Sequence, residues 1–401
     1  MKFTFIDKEE LCVFEDGKLE KYQSGYVTRY RENSKREQKK REWKKNSDRM
    51  LYEDYLEGNE RVVAEITSLS PTVEKNKILY SFTVNETSGI YYKYTDDEKK
   101  TEAHFLSSNE ERFFDLSVNA SGEIVGTVQK DSITSDIGVF SKSGGDYKLV
   151  TGGDSKDENP FLKSNEEILF NSYGVGRNLE NEFVAYAPSE ILKVNVRTME
   201  IETLVSDGKN AYIKPILDGD GNLYCIRKPN EERENKNGFL EVLLIPVRIV
   251  EGIVGFISTF VRIFTGKPLV GGNKRTHGGN SAAKNAEQNK LYLHNQTIEV
   301  DKELKRNEKT EESGFIPRSW KLIRIPKIED DFSVRYDPGR AEELAHGVAD
   351  YCLTEEGALV YTNGKRIFEL TEKGKKKLLN VDFCVRVASL QQTKGNLFDE
   401  L

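Results

Sequence analysis

Cysteine and histidine are scarce in this chain of 401 residues, with four of each. The cysteines, at positions 12, 225, 352 and 384, form no CxxC pair and no dense framework. That excludes a disulfide-stapled scaffold and leaves reduced core thiols as the expectation. The histidines, at 104, 277, 294 and 346, make neither HExxH nor HxH, so a zinc hydrolase has no ligand set, and His277 reads as linker. A GxSxG elbow is absent, and Gly266-Lys267 runs into Pro268 where a P-loop needs Ser or Thr. Gly174–Gly176 lacks the third glycine and following helix of a dinucleotide fingerprint. Nor is there an apolar leader: MKFTFIDKEELCVF has no stretch of the roughly 7–15 residues that a secretory signal requires. On these absences the expectation is a cytoplasmic protein with no enzymatic activity, no metal and no cofactor.

What is present is ample for a core. Hydrophobic residues make up 37% and charged residues 32%, which excludes wholesale disorder. The 60 basic and 67 acidic residues give a net charge of −7, so the overall field does not favour nucleic acid, and none is expected as a partner. Short runs of Val, Ile, Tyr and Phe, bounded by Gly, Asp, Asn and Ser, read as strands. The runs repeat as a polar turn followed by a hydrophobic strand: KEELCVF, KNKILYSF, SGEIVGTV, NEEILFN, DGNLYCI and EGALVYT. Their first apolar positions, Leu11, Ile78, Ile124, Ile168, Leu223 and Leu359, lie 67, 46, 44, 55 and 136 residues apart. The middle intervals fit a four-stranded propeller blade of roughly 40–50 residues. Six copies predict an all-β, six-bladed propeller over residues 1–401. A spare C-terminal strand in Val381–Leu390 is expected to complete the N-terminal blade and so close the ring.

These turn-strand units, as in NASGEIVGTV, DGDGNLYCI and TEEGALVYT, resemble those of TolB/PD40-like and WD40-like propellers. The Gly-His and Trp-Asp signatures of true WD40 repeats are absent. The resemblance implies a fold and no function. LDGDGN also has the 1-3-5 oxygen spacing of a calcium loop in Asp218, Asp220 and Asn222. Leu223 and Pro229 occupy the places of its glycine and glutamate, so a propeller turn explains it better.

The two long intervals hold largely helical or irregular insertions. One, residues 26–58, contains RYRENSKREQKKREWKKNSDR, with ten basic and four acidic residues and a local charge of +6. It is expected to form a basic helix, with Arg36, Lys39, Lys40, Arg41, Lys44 and Lys45 as its patch. A solvated surface helix and contact with anionic headgroups both fit it. The other insertion, residues 231–315, is expected to be an amphipathic helix at about 239–265 followed by a flexible polar tether. Its longest charge-free run, Gly252–Val261, is ten residues, and a charge within a span costs roughly 2.5–3.5 kcal/mol, so a simple spanning helix is not expected. At 100° per residue a wide apolar arc carries Leu243, Leu244, Val247, Val250, Ile253, Val254, Phe256, Ile257, Phe260, Val261 and Phe264. Arg248, Arg262 and Lys267 are placed to meet headgroups. Such a helix lies in a membrane interface or packs on another apolar surface.

The expectation drawn from this is a propeller scaffold attached peripherally to the cytoplasmic membrane surface, with a lipid surface and protein partners as its contacts. A soluble subunit of a larger assembly is the alternative. A propeller-type hydrolase with a central-channel site is the second.

Overall fold

The computed structural model describes residues 1–33, 36, 40, 64–84, 87–96, 102–164, 166–230, 290–308, 313–330, 333–371 and 374–391. Its strands assemble into six four-stranded antiparallel blades. Blade one consists of Val387–Ala388, Lys2–Asp7, Glu10–Glu15 and Lys18–Tyr22, from the inside outward. Blade two is Ala64–Pro71, Lys77–Val84, Thr87–Tyr94 and Glu102–Ser108; blade three is Arg112–Val118, Ile124–Gln129, Ser135–Phe140 and Tyr147–Leu149. Blade four is Ser155–Leu162, Glu167–Arg177, Glu190–Asn195 and Ile201–Val205, joined to blade three by a single parallel bridge between Ser135 and Lys156. Blade five is Asn210–Leu217, Leu223–Pro229, Lys321–Ile325 and Glu342–His346, and blade six is Asp350–Leu353, Leu359–Thr362, Gly364–Thr371 and Gly374–Cys384.

Burial explains why the second strands read as continuous apolar runs rather than alternating ones. Lys77–Val84 is buried at all but its first residue, because neighbouring blades cover both of its faces. The outer strand Lys18–Tyr22 is exposed and charged, which discourages edge pairing. Six apolar clusters fill the six interfaces between successive blades. One unites Phe3, Phe5 and Cys12 of blade one with Cys352, Val360 and Ile367 of blade six, so the ring is closed by packing. It is closed by pairing as well, through Thr4 with Ala388 and Phe5 with Val387. Asp7 adds a latch: its Oδ1 accepts from the backbone N–H groups of Asp382 and Phe383, both at 3.0 Å. All four cysteines are buried and unbridged.

Two boundaries differ from the sequence reading. The spare strand is divided, with Val381–Cys384 ending the outer strand of blade six and only Val387–Ala388 closing blade one. The outer strand of blade one is Lys18–Tyr22, and YVTRY, which opens the basic insertion, is helical. Ser24 caps that helix through Oγ to the N–H of Val27 at 3.2 Å. The Glu102 carboxylate receives the N–H groups of Gly25 and Tyr26 at 2.9 and 3.0 Å, a favourable place for negative charge. Finally, the stretch expected as a flexible tether up to residue 315 contains a hairpin, Lys290–Leu293 with Gln296–Glu299, and a short helix, Val300–Asn307.

That hairpin positions the site. Its two-residue turn, His294 and Asn295, has both residues at positive φ, as a tight hairpin requires. It lies over the starts of the inner strands. Leu291 and Leu293 share a small cavity with Ile6, Glu65, Ile66 and Phe114 from blades one, two and three. His294 Nε2 lies 3.0 Å from the Ala349 carbonyl, and Lys156 Nζ donates to Asn295 Oδ1 at 2.7 Å. The hairpin therefore stoppers the central channel at the end where inner strands begin. Connections between blades and between second and third strands open at this same end, so both long insertions leave from it.

Candidate functional site

The opposite end of the channel is open. There the later halves of the inner strands and the loops that follow them enclose a cavity of about 590 Å³. Its walls come from a recurrent irregularity. The inner strands of blades two, three, four and five each carry a register shift against their neighbour, between Ile66 and Ser68, Phe114 and Ser117, Glu158 and Phe161, and Ile213 and Ile216. In three of them the shift sets a polar, non-glycine residue in the left-handed region: Asp115 (φ 47°), Asn159 (φ 54°) and Lys214 (φ 54°). Each such conformation costs on the order of 1–3 kcal/mol and concentrates at functional sites in proteins generally.

Two ion pairs form the floor. Arg386 Nη2 lies 3.1 Å from Asp115 Oδ1, and Lys214 Nζ pairs with Asp350 Oδ1. The carboxylates lie beneath and are held by the fold. Asp115 Oδ2 accepts from Thr127 Oγ1 at 3.1 Å and from the Asn159 N–H at 3.3 Å, and Asp350 Oδ2 accepts from the Val387 N–H at 2.8 Å. The cations are the more exposed partners: side-chain exposure is 24% for Arg386 and 17% for Lys214, against 7% for Asp115 and 1% for Asp350. Burial opposes the charge of Arg386, but Asp115, Asp350 and Glu158 more than offset it and hold the guanidinium pKa above its ordinary value. Asn171, fully buried, ties two walls together: its Oδ1 accepts from Asn159 Nδ2 at 2.9 Å and from the Lys214 N–H at 3.0 Å.

The rim carries Lys163, Lys327 and the Asp218–Gly221 turn. Asp218 Oδ1 accepts from the N–H groups of Asp220 and Asn222 at 3.0 and 2.8 Å, and Oδ2 from Asn222 Nδ2 at 2.9 Å. The 1-3-5 oxygens thus build a turn, with the first carboxylate occupied inside it. Among the described residues no group of three His, Cys, Asp or Glu side chains is placed to hold a metal ion.

In fold the chain is similar to TolB. The TolB structure from Acinetobacter baumannii is 11% identical, with 96% of this chain matched to 65% of that one at a TM-score of 0.47. A puromycin hydrolase structure is 6% identical, with 85% matched to 36% and a TM-score of 0.34. An oligogalacturonate lyase from Vibrio parahaemolyticus is 9% identical, with 82% matched to 85% and a TM-score of 0.36. The chain thus spans less than two thirds of the length of the first two. No family model and no curated protein matches the sequence. The expectation that the protein is not an enzyme is corrected by these neighbours. A hydrolase and a lyase stand beside TolB among the structures similar in fold.

Of the residues singled out in the sequence, Arg36 and Lys40 are helical and exposed. Lys39, Arg41, Lys44, Lys45 and the whole of 243–267 lie outside the described residues. Among the described residues no helix is long and apolar enough to cross a membrane. The channel residues Asp115, Asn159, Lys214, Asp350 and Arg386 were not singled out. The one signal of them was a polar or charged residue inside runs otherwise read as core strand.

Proposed function

We infer that this protein works at a membrane surface, held there by its insertion end while the channel mouth faces away. What supports the reading is that both long insertions root at the stoppered end, opposite the cavity. The sequence of 239–265 divides a wide apolar arc from Arg248 and Arg262, the pattern of a helix lying in a bilayer interface. The block at 29–49 belongs to one of these insertions and carries a charge of +6, and basic residues near an anionic leaflet contribute about 1 kcal/mol each.

The test is co-sedimentation with vesicles of phosphatidylcholine and phosphatidylserine. Wild type is expected in the pellet. Phe256→Glu with Phe260→Glu is expected to weaken binding by about tenfold or more, since each substitution puts a charge in the apolar arc of the sequence. Replacing the Lys and Arg residues of 29–49 by Ser is expected to remove the salt-sensitive part of the affinity. Wild type remaining in the supernatant overturns the reading. In that case an oligomer of fixed mass, with or without detergent, assigns the apolar segment to a protein interface instead.

A further inference from the structure

We propose that the open mouth of the channel binds a hydrophilic small molecule through an oxyanion, a carboxylate or phosphate ester, held by Arg386 and Lys214. This site is independent of the membrane reading, because it opens at the other end of the ring. A cavity of about 590 Å³ falls within the range of small-molecule sites. Its chemistry follows from which charges are left available. Asp115 and Asp350 are nearly sequestered and are occupied by Thr127 and by the backbone N–H groups of Asn159 and Val387. Lys214 uses two donors, to Asp350 and to the Val387 carbonyl at 3.2 Å, and an ammonium has three. Arg386 directs one nitrogen at Asp115, and a guanidinium carries five donors in a fork that suits the two oxygens of a carboxylate or phosphate. At the rim Lys163 and Lys327 are paired with Glu167 and Glu329, and Asp218 and Asp220 stand beside them, so Arg386 and Lys214 are the cations left to a ligand.

The buried carboxylates then serve to position the cations and to make their burial tolerable before a ligand arrives, the preorganisation an anion site needs. Arg386 immediately precedes the strand that closes blade one, while Lys214 and Asp115 stand on strained bulges of blades five and three. The site is therefore assembled only when the two ends of the chain have met.

Calorimetric titration of the full chain at low ionic strength tests this, with citrate, gluconate, inorganic phosphate and glycerol 3-phosphate as probes and glycerol as the uncharged control. At least one anion is expected to bind with one-to-one stoichiometry, glycerol is not, and the pattern of binders tells carboxylate from phosphate. The paired variant Arg386→Gln/Asp115→Asn removes the cation without stranding a carboxylate and is expected to weaken binding at least tenfold. In wild type, the same anion is expected to slow phenylglyoxal modification of Arg386, read by mass spectrometry, which keeps the test valid if the variant does not fold. No saturable binding by any of the four anions overturns the proposal. So does binding that leaves Arg386 modification unchanged.

Discussion

At Gly364 the backbone has φ of +94°, and a Cβ built there would stand 2.4 Å from the ring of Phe315. That ring is itself fixed, stacked on Phe383 with centroids 5.0 Å apart in the cluster that joins blade six to the insertion. Neither the glycine nor the ring has room to yield. Gly364→Ala is expected to lower stability by about 2–4 kcal/mol, combining left-handed strain with overpacking. Gly357, at φ of +81° with open space around its Cβ position, is the control. Its alanine variant carries the backbone cost alone, about 1 kcal/mol. Urea unfolding of both variants separates the steric part from the conformational one, and equal losses would show that Phe315 moves aside. The bulge residues Asp115, Asn159 and Lys214 occupy the same region of φ without the licence of glycine. Their strain is borne where polar groups meet the cavity.

The hairpin Lys290–Glu299 shows what a small element does when placed on the axis. Leu291 and Ile298 are buried to within 2%, and with Leu293 they join Tyr173, Trp320, Phe383 and Val385 in one cluster. Leu293→Ala is expected to cost about 2–5 kcal/mol, as for a buried leucine whose surroundings cannot collapse onto the gap. Chemical denaturation measures it, and a loss below about 1 kcal/mol would mean that the hairpin is not a fixed part of the core. This element was not legible in the sequence: its alternation spans only a few residues and sits beside a Gly-, Asn- and Lys-rich stretch. The anchor of the helix that opens the basic insertion was not legible either: the carboxylate that receives its first N–H groups belongs to Glu102, 77 residues from Gly25 and 76 from Tyr26. The blades were legible because each second strand is covered on both faces and therefore repeats as an apolar run. The channel site was not, because a bulge shifts register without changing composition. Arg386 in turn gains its meaning from Asp115, which only closure of the ring brings near.

At the scale of the whole molecule, the stoppered end holds two groups whose titrations pull stability in opposite directions. Burial pushes the Glu65 carboxyl up from 4.5 to about 8; Glu9 adds to the rise, and Arg31 and Arg112 partly counter it. The folded state keeps a proton that the unfolded chain has released above pH 4.5, so Glu65 makes stability fall as pH rises from 4.5 to about 8. His294, fully buried, is pushed well below 6.5 by burial and by Arg386, Lys228 and Lys214, against the hydrogen bond to the Ala349 carbonyl. The unfolded chain takes up a proton below pH 6.5 that the folded state refuses, so His294 makes stability fall as pH drops below 6.5. Just below pH 6.5 the two slopes oppose each other. Above 6.5 Glu65 acts alone, at about 1.4 kcal/mol per pH unit. Asp136, raised to about 6 mainly by burial, adds a further fall in stability as pH rises towards 6, so the informative quantity is wild type against variant. Glu65→Gln is expected to flatten the decline between pH 6.5 and 8, and His294→Asn to steepen the fall of stability with rising pH just below 6.5. Urea unfolding in steps of half a pH unit reads both. Parallel curves for wild type and Glu65→Gln above pH 6.5 would mean that Glu65 is ionised in the fold. Glu65 shares its small cavity with Leu291 and Leu293, and His294 forms the turn between the hairpin strands, so both responses report on the plug that separates the insertion end from the cation-lined mouth.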